Sequence, residues 1–357
     1  EKEKEKKSIV DFRASFPDEE SAIRYYESVR WANGVVSPFD ETSKVYKCKN
    51  GKYKCKNTGK YFTYRTGTFF ANSKLGMRDW LYAIIMIANR KNAISSYQLA
   101  DDLDIPQKTA WYMLHRIRTA MAKENNQKLS GDVEIDETFV GGKNINRHKD
   151  KKVEKCQGRS YKDKVPVFGA IERGGNLFAK VVPNTQAKTL VPIVKKNVDV
   201  GSSVYTDGWS YKGLEKKYTQ MSVDHGKHFY GMILVTDDGE IIEITTNRIE
   251  NAWSVFKRTI KGTYIHVSKK YLQRYVDEFV FRFNTRKISK YERIELLFAI
   301  CSSLNIMANN KDIKKNKPKK EKKKRKPVYE IQGFVLTIPE DKLKEVLLEM
   351  SNPKKKG

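Results

Sequence analysis

The sequence predicts an α/β protein: a mixed sheet flanked by helices, with a small β-hairpin segment and a helical segment in front of it. Three observations predict this. Between Val133 and about Val223 the runs "VEIDETFV", "VPVFGAIE", "LFAKVVP" and "SVYTD" are rich in Val, Ile and Phe and read as strands. "TQAKTLVPIVKKNV", between the third and fourth, fits a helix, so the order is three strands, a crossover helix and a fourth strand. Two strongly amphipathic helices follow, one with Ile249, Ala252, Trp253, Phe256 and Ile260 as its apolar stripe, the other with Leu272, Tyr275, Val276, Phe279 and Phe283.

Each further element has its own warrant. Residues 1–31 are a charged start and a short helix within "FRASFPDEESAIRYYESVRW", where Pro17, Asp18 and Glu19 suit a first turn. In residues 32–72 aromatic and β-branched residues alternate with Lys and with "NG" and "TG" turns, the pattern of small antiparallel hairpins. Cys48 and Cys55 there are separated by six residues, without the Cys-x-x-Cys pairs of a structural zinc site, so a degenerate zinc-ribbon shape without metal is expected. Residues 73–125 read as helices. Ser95 or Ser96 caps a helix ending near Leu103, and Asp104 and Pro106 start a second, together a helix-turn-helix. Its second helix is expected to turn Gln107, Lys108, Tyr112, His115 and Arg116 outward toward DNA. The sheet and its helices fill residues 130–309, the Lys-rich "NKPKKEKKKRKP" falls in a basic linker at 310–327, and 328–357 reads as a strand or hairpin plus a helix.

The chain has 357 residues, 70 basic against 43 acidic, and a formal net charge of +27. Such an excess suits a polyanion, and nucleic acid first, because Lys and Arg that neutralise phosphates release counterions. No run of about 18 apolar residues suggests a membrane span. "EKEKEKKSIV" is unlike a signal peptide, and four unevenly spaced cysteines are unlike a secreted disulfide framework. A cytoplasmic, nucleoid-associated protein is the expectation.

In this basic chain the informative residues are acids. Asp136 lies in the first strand and Asp207 closes the fourth, each followed by a glycine break. Glu250 begins the next helix, with Lys257 two turns on along the same face. Three carboxylates brought together repel one another unless a hard cation joins them. Mg²⁺ or Mn²⁺ suits oxygen ligands, and two ions about 4 Å apart serve phosphoryl displacement. Glu134 shares a strand face with Asp136 and is the reserve for its place; Asn247 is the alternative third residue, and Asn247-x-x-Glu250 also has capping-box spacing. His225 and His266 are expected to be structural or near substrate.

"VEIDETFVGGK", "VYTDGWSYKGL" and "TNRIENAWSVFKRTIKGTYIHVSKKYLQRYVDEFVFRFNTR", in this order, resemble the DDE transposases of bacterial insertion sequences, in the group related to eukaryotic Merlin elements. The resemblance runs from about Phe12 to Arg286. It implies an RNase-H-like catalytic domain that cuts and joins DNA at element ends with two Mg²⁺ or Mn²⁺ ions. Asp136, Asp207 and Glu250 match the three acids, and Lys257 the basic follower. Some members of the group have Asn as the third residue, which keeps Asn247 open. Relatives carry two Cys-x-x-Cys knuckles where this chain has Ser37 with Asp40 and Cys55 with Thr58, so zinc is not expected. The partners implied are double-stranded DNA (terminal inverted repeats and target) and a second copy of the chain, since two ends must be held together. A non-catalytic DNA-binding relic and a structure-selective nuclease on the same fold are the other readings.

Overall fold

Alternation along one strand sets the plan of the sheet. In β4 (Asp132–Val140), Val133 and Ile135 point into one core, and Glu134, Asp136 and Thr138 belong to the opposite face. The computed structural model describes residues 14–90, 92–142, 148–153, 164–207, 211, 213–223, 231–235, 241–303, 328–331 and 334–337. Antiparallel to β4 runs β5 (Val165–Glu172), with Asp136 level with Gly169, and β6 (Leu177–Val181) adds on antiparallel outside it. Beyond the crossover helix, β7 (Ser203–Asp207) pairs with β4 in parallel, and β8 (Thr219–Val223) pairs in parallel with β7. The spatial order is β6-β5-β4-β7-β8. This five-stranded mixed sheet, flanked by helices and with its second strand antiparallel, is the RNase-H-like arrangement the resemblance implies. The fifth strand, "TQMSV", escapes sequence reading because it lacks the aliphatic run of the other four.

Helices cover both faces. The crossover helix (Ala187–Asn197) packs Leu190 and Val194 on Val133, Ile135 and Val204. On the other face lie the helix Asn247–Thr259 and the helix Leu272–Asn284, whose Ile249, Trp253, Phe256 and Phe279 meet Val167, Leu177 and Ala179. Their buried stripes are those the sequence predicts.

Numbered in chain order, the helices are α1 (Glu19–Arg30), α2 (Met77–Asn89), α3 (Ser96–Leu103), α4 (Gln107–Met121), α5 (Ala187–Asn197), α6 (Asn247–Thr259), α7 (Leu272–Asn284) and α8 (Lys290–Ser303). Asp18 caps α1 by accepting from the Ser21 amide at 2.7 Å, so the helix begins later than Phe12. Ser95 caps α3, which ends at Asp104 in a left-handed conformation (φ 51°), and α4 starts just after Pro106. Between α1 and α2 lies the three-stranded ribbon of β1 (Val45–Lys47), β2 (Tyr53–Cys55) and β3 (Tyr61–Phe62). Where zinc knuckles would sit, Asn57 donates to Asp40 at 2.9 Å. The Ser37, Ser43 and Thr58 hydroxyls surround the buried Cys55 thiol, outweigh the effect of its burial and bring its pKa down to about 6.

A buried charged cluster ties α4 to α7 and to the end of α2. Arg118 of α4 donates to Glu278 of α7 at 2.7 Å, Tyr264 donates to the same oxygen at 2.7 Å, and Arg282 holds the other oxygen at 2.8 Å. Arg282 also donates to the Ile87 carbonyl at the end of α2 at 2.6 Å and to that of Arg90. Burial raises the pKa of Glu278, but Arg118 and Arg282 outweigh it and hold the carboxyl at about 2.

After β8 the chain forms a two-stranded hairpin of β9 (Met232–Val235) and β10 (Ile241–Ile244). Its root is fixed where Ile244 packs with Tyr205 and Val223. Two compact units emerge, Glu1–Asn305 and Ile306–Gly357. In the second, β11 (Val328–Ile331) and β12 (Phe334–Thr337) form an antiparallel hairpin. The expected basic linker, the closing helix and His225 lie outside the described residues. No described helix is long and apolar enough to cross a membrane.

Candidate active site

Parallel pairing of β4 with β7 brings two acids side by side. Ile135 is level with Thr206, so the next step of the same register sets Asp136 beside Asp207, on strands about 4.8 Å apart. Asp207 closes β7 and Asp136 lies midway along β4, just past the last printed pair of the two strands, and a cleft of about 170 Å³ there is lined by Asp136, Glu137, Phe139, Thr185, Asp207 and Tyr211 among others. Burial first, and then the negative charges of Glu137, Asp207 and Glu250, push the Asp136 carboxyl up to about 7. A carboxyl so raised by its acidic neighbours is a site that gains from a cation. The donor set, hard carboxylate oxygen, fits Mg²⁺ or Mn²⁺.

Glu250 lies on α6, exposed, close enough for its charge to be felt at Asp136 but outside the lining of the cleft. Among the described residues no three His, Cys, Asp or Glu side chains are grouped tightly enough to hold one ion. The structure therefore pairs Asp136 with Asp207 and sets Glu250 apart on its helix. Lys257 is exposed two turns along α6.

What holds α6 is the residue expected as a reserve ligand. Glu134 is fully buried, and its Oε2 accepts from the backbone N–H groups of Arg248 (2.9 Å) and Ile249 (3.2 Å), the open first turn of α6. Its Oε1 accepts from Arg173 at 3.1 Å, and Arg173 also donates to the Thr245 carbonyl at 3.2 Å. A carboxylate at a helix N-terminus satisfies orphan amides and meets the positive end of the macrodipole. Glu134 is thus committed to placing α6 and does not stand in for Asp136. The capping-box expectation for Asn247 is corrected in the same way: Asn247 is the first helical residue, Thr246 is the N-cap, and the Thr246 hydroxyl reaches Glu250 at 3.4 Å.

Two residues that sequence reading passed over complete the setting. Gly169, level with Asp136, lies under α6: a Cβ there would come within 2.7 Å of Trp253 Cη2, closer still to Cζ2, and 3.2 Å from Ile249 Cδ1. The Tyr211 hydroxyl donates to Glu137, and burial followed by that acid raises its pKa. A glycine inside a β-run was the one available signal for the first; nothing in the sequence marks the second.

On α4, Lys108 and Tyr112 are exposed, and Gln107 is half-buried and donates to Ser96 at 2.7 Å. His115 and Arg116 correct the expectation, because both are buried. His115 lies among Trp111, Tyr271 and Tyr275, neither ring nitrogen has a hydrogen-bond partner among the described residues, and burial followed by Arg118 and Arg274 depresses its pKa to about 3. Arg116 donates to the carbonyls of Phe69 and Ala71 and lies over Phe69 and Trp80. α4 is covered on two sides, by the ribbon–α2 segment and by α7, which leaves a narrower open face than an isolated helix pair has.

Comparison with known proteins identifies the family. The family model for an ISXO2-like transposase domain matches residues 128–284, the stretch that carries Asp136, Asp207 and Glu250. An uncharacterized protein in the transposable element ISH50 of Halobacterium salinarum is 26% identical over 287 residues, 75% of this chain and 92% of that one. An uncharacterized transposase-like protein of Haemophilus influenzae is 31% identical over 114 residues, 31% of this chain and 84% of the relative. The crystal structures of the Mos1 strand transfer complex and of a pre-cleavage Mos1 transpososome align over 62% of this chain and 77% and 78% of theirs, at 10% and 11% identity and TM-scores of 0.23 and 0.20. The fold rests on the strand order itself. By its matched family model and its relatives in sequence, the chain belongs to the insertion-sequence DDE transposases.

Proposed function

We propose that this chain binds the terminal inverted repeats of its element and catalyses metal-dependent cleavage and strand transfer of DNA. The observation that carries the proposal is that Asp136 and Asp207, from adjacent parallel strands, line one cleft. Asp136 and Asp207 hold the cation side of the site, and Glu250, or Asn247 in its place, completes it from α6. Mg²⁺ or Mn²⁺ held by these residues would supply activation of the attacking oxygen and stabilisation of the leaving one. Lys257 engages a neighbouring phosphate. Lys108, Tyr112 and Gln107 on α4 contact the duplex, and the net charge of +27 draws it in. Two copies act together, because two element ends have to be held.

The test incubates the chain with its element-end duplex and Mg²⁺, comparing the wild type with Asp207→Asn. Nicked and joined products from the wild type alone, with DNA binding retained in both, are the expected result. Binding without any product in the wild type would leave a DNA-binding protein and defeat the catalytic reading. Nicked but never joined products would make it a nuclease.

A further inference from the structure

We propose that the outward face of the ribbon formed by β1, β2 and β3 binds single-stranded DNA, its tyrosines stacking on unpaired bases and its lysines meeting the phosphates between them. Alternation gives the ribbon two unlike faces. On the inward side Tyr53, Cys55 and Phe62 are buried and pack with Val45 and Trp31. The pairing sets Tyr46 level with Lys54, and Lys54 level with Tyr61, so these three form one row across the outward side. Tyr46 is 44% exposed and Tyr61 57%, on strands about 10 Å apart across β2, which gives each ring room for a base of its own. A ribbon this small needs its aromatic side chains inside, so burial does not explain the two that stand in water.

Each exposed ring of the ribbon has an ammonium beside it. Lys44 Nζ lies 5.9 Å from the centre of the Tyr46 ring, Lys54 Nζ 5.6 Å from that of Tyr61, and Lys60 Nζ 5.2 Å from that of Phe39. Such contacts are weak in water, so a base can take the ring face and leave the ammonium to a phosphate. Charge points the same way. From Thr42 to Arg78 the chain contains no Asp or Glu, and residues 44–60 alone contain seven Lys, six of them exposed. Lysines by themselves would hold the phosphates of a duplex. The bases of a duplex, however, are stacked on one another and present no face to Tyr46 or Tyr61, so the rings contribute only where bases are unpaired. An anionic membrane also attracts lysine, but the row of Tyr46, Lys54 and Tyr61 has no aliphatic side chain to enter its hydrocarbon. The ligand thus differs from the duplex proposed for α4, and its binding needs neither metal nor an element-end sequence.

The test follows fluorescence anisotropy of the full chain, without Mg²⁺, on a labelled oligothymidylate of about 12 nucleotides and on a duplex of the same length. The wild type is expected to bind both. Tyr46→Ala with Tyr61→Ala should weaken the single strand by at least about tenfold and leave the duplex unchanged. Tyr46→Phe with Tyr61→Phe keeps the rings and should keep the affinity. Lys44→Ala should lower the slope of log affinity against log salt on the single strand by about 0.7, a slope the tyrosine pair leaves alone. These positions are exposed, so an unchanged melting temperature serves as the check on folding. A wild type that does not bind the oligothymidylate would overturn the proposal. So would an alanine pair that binds it normally or loses the duplex equally, or a phenylalanine pair no better than the alanine pair. Tighter binding to an oligouridylate, or to phosphatidylserine vesicles, would assign the face to RNA or to a membrane and overturn it as well. A chain that binds the single strand through these rings yet never cleaves DNA would keep this inference and sink the catalytic one.

Discussion

Gly169→Ala puts the placement of α6 to the test. The added Cβ would lie 2.7 Å from Trp253 Cη2 and 3.2 Å from Ile249 Cδ1, and both side chains are buried in the α6 interface. Restoring an ordinary carbon contact of about 3.6 Å at Cη2 alone requires a shift of roughly 1 Å, and the Trp253 ring has no free space to take it up. Overpacking of this kind costs about 1–3 kcal/mol. Because Gly169 is level with Asp136, the same shift moves Glu250 away from the strand acids, and a misplacement of about 1 Å in a catalytic constellation can cost on the order of a hundredfold in rate. Urea unfolding should show the stability loss, and strand cleavage of element-end DNA the loss of rate, with duplex affinity unchanged. Trp253→Leu, added to Gly169→Ala, should recover part of both. A single variant that unfolds within about 0.5 kcal/mol of wild type and cleaves normally would show that α6 does not depend on this close approach.

Other perturbations separate structural from functional roles. Glu134→Ala leaves Arg173 and two helix amides without their buried acceptor, and should destabilise by about 3–5 kcal/mol in urea unfolding. Lys108→Ala should weaken duplex binding and lower the slope of log affinity against log salt by about 1. Arg116→Ala should leave that slope alone and instead cost about 1–3 kcal/mol in stability, because the carbonyls of Phe69 and Ala71 lose their donor. Glu278, with its carboxyl held at about 2 against an ordinary 4.5, contributes stability that is complete above pH 4.5 and is lost as pH falls toward 2. Asp277 runs the other way: burial raises it from 3.8 to about 6, so its contribution is complete below pH 3.8 and is lost as pH rises through 6. Urea midpoints measured from pH 7 to 2 should therefore rise before they fall, and Asp277→Asn should shrink the rise, leaving the part that Asp136 contributes.

Asp207 was legible because a β-run that stops at glycine announces its own end, and Asp136, midway along β4, because an acid inside an apolar strand stands out. The helical stripes of α6 and α7 were legible for the same local reason, periodicity. What one chain of letters does not carry is who covers whom. His115 and Arg116 looked like an outward basic face, yet α4 is packed on two sides, so adjacent residues of one turn are all buried. Glu134 looked interchangeable with Asp136, two residues on and on the same face. Its role is fixed by Arg173 and by amides more than 110 positions further along the chain. The weakly apolar β8 was missed because it does not stand out by composition from the loops around it.

The cluster around Glu278 has a consequence for measurement. It joins α4, α7 and the end of α2 through hydrogen bonds shielded from water, and breaking such a buried ion pair costs about 3–5 kcal/mol. The surface that carries Lys108 and Tyr112 and the cleft that carries Asp136 and Asp207 are thereby parts of one stiff frame. A duplex held at the first surface, as proposed, would meet the second at a distance set by the protein. The cut would then fall a fixed number of base pairs from the gripped sequence, as along a ruler whose two ends cannot slide.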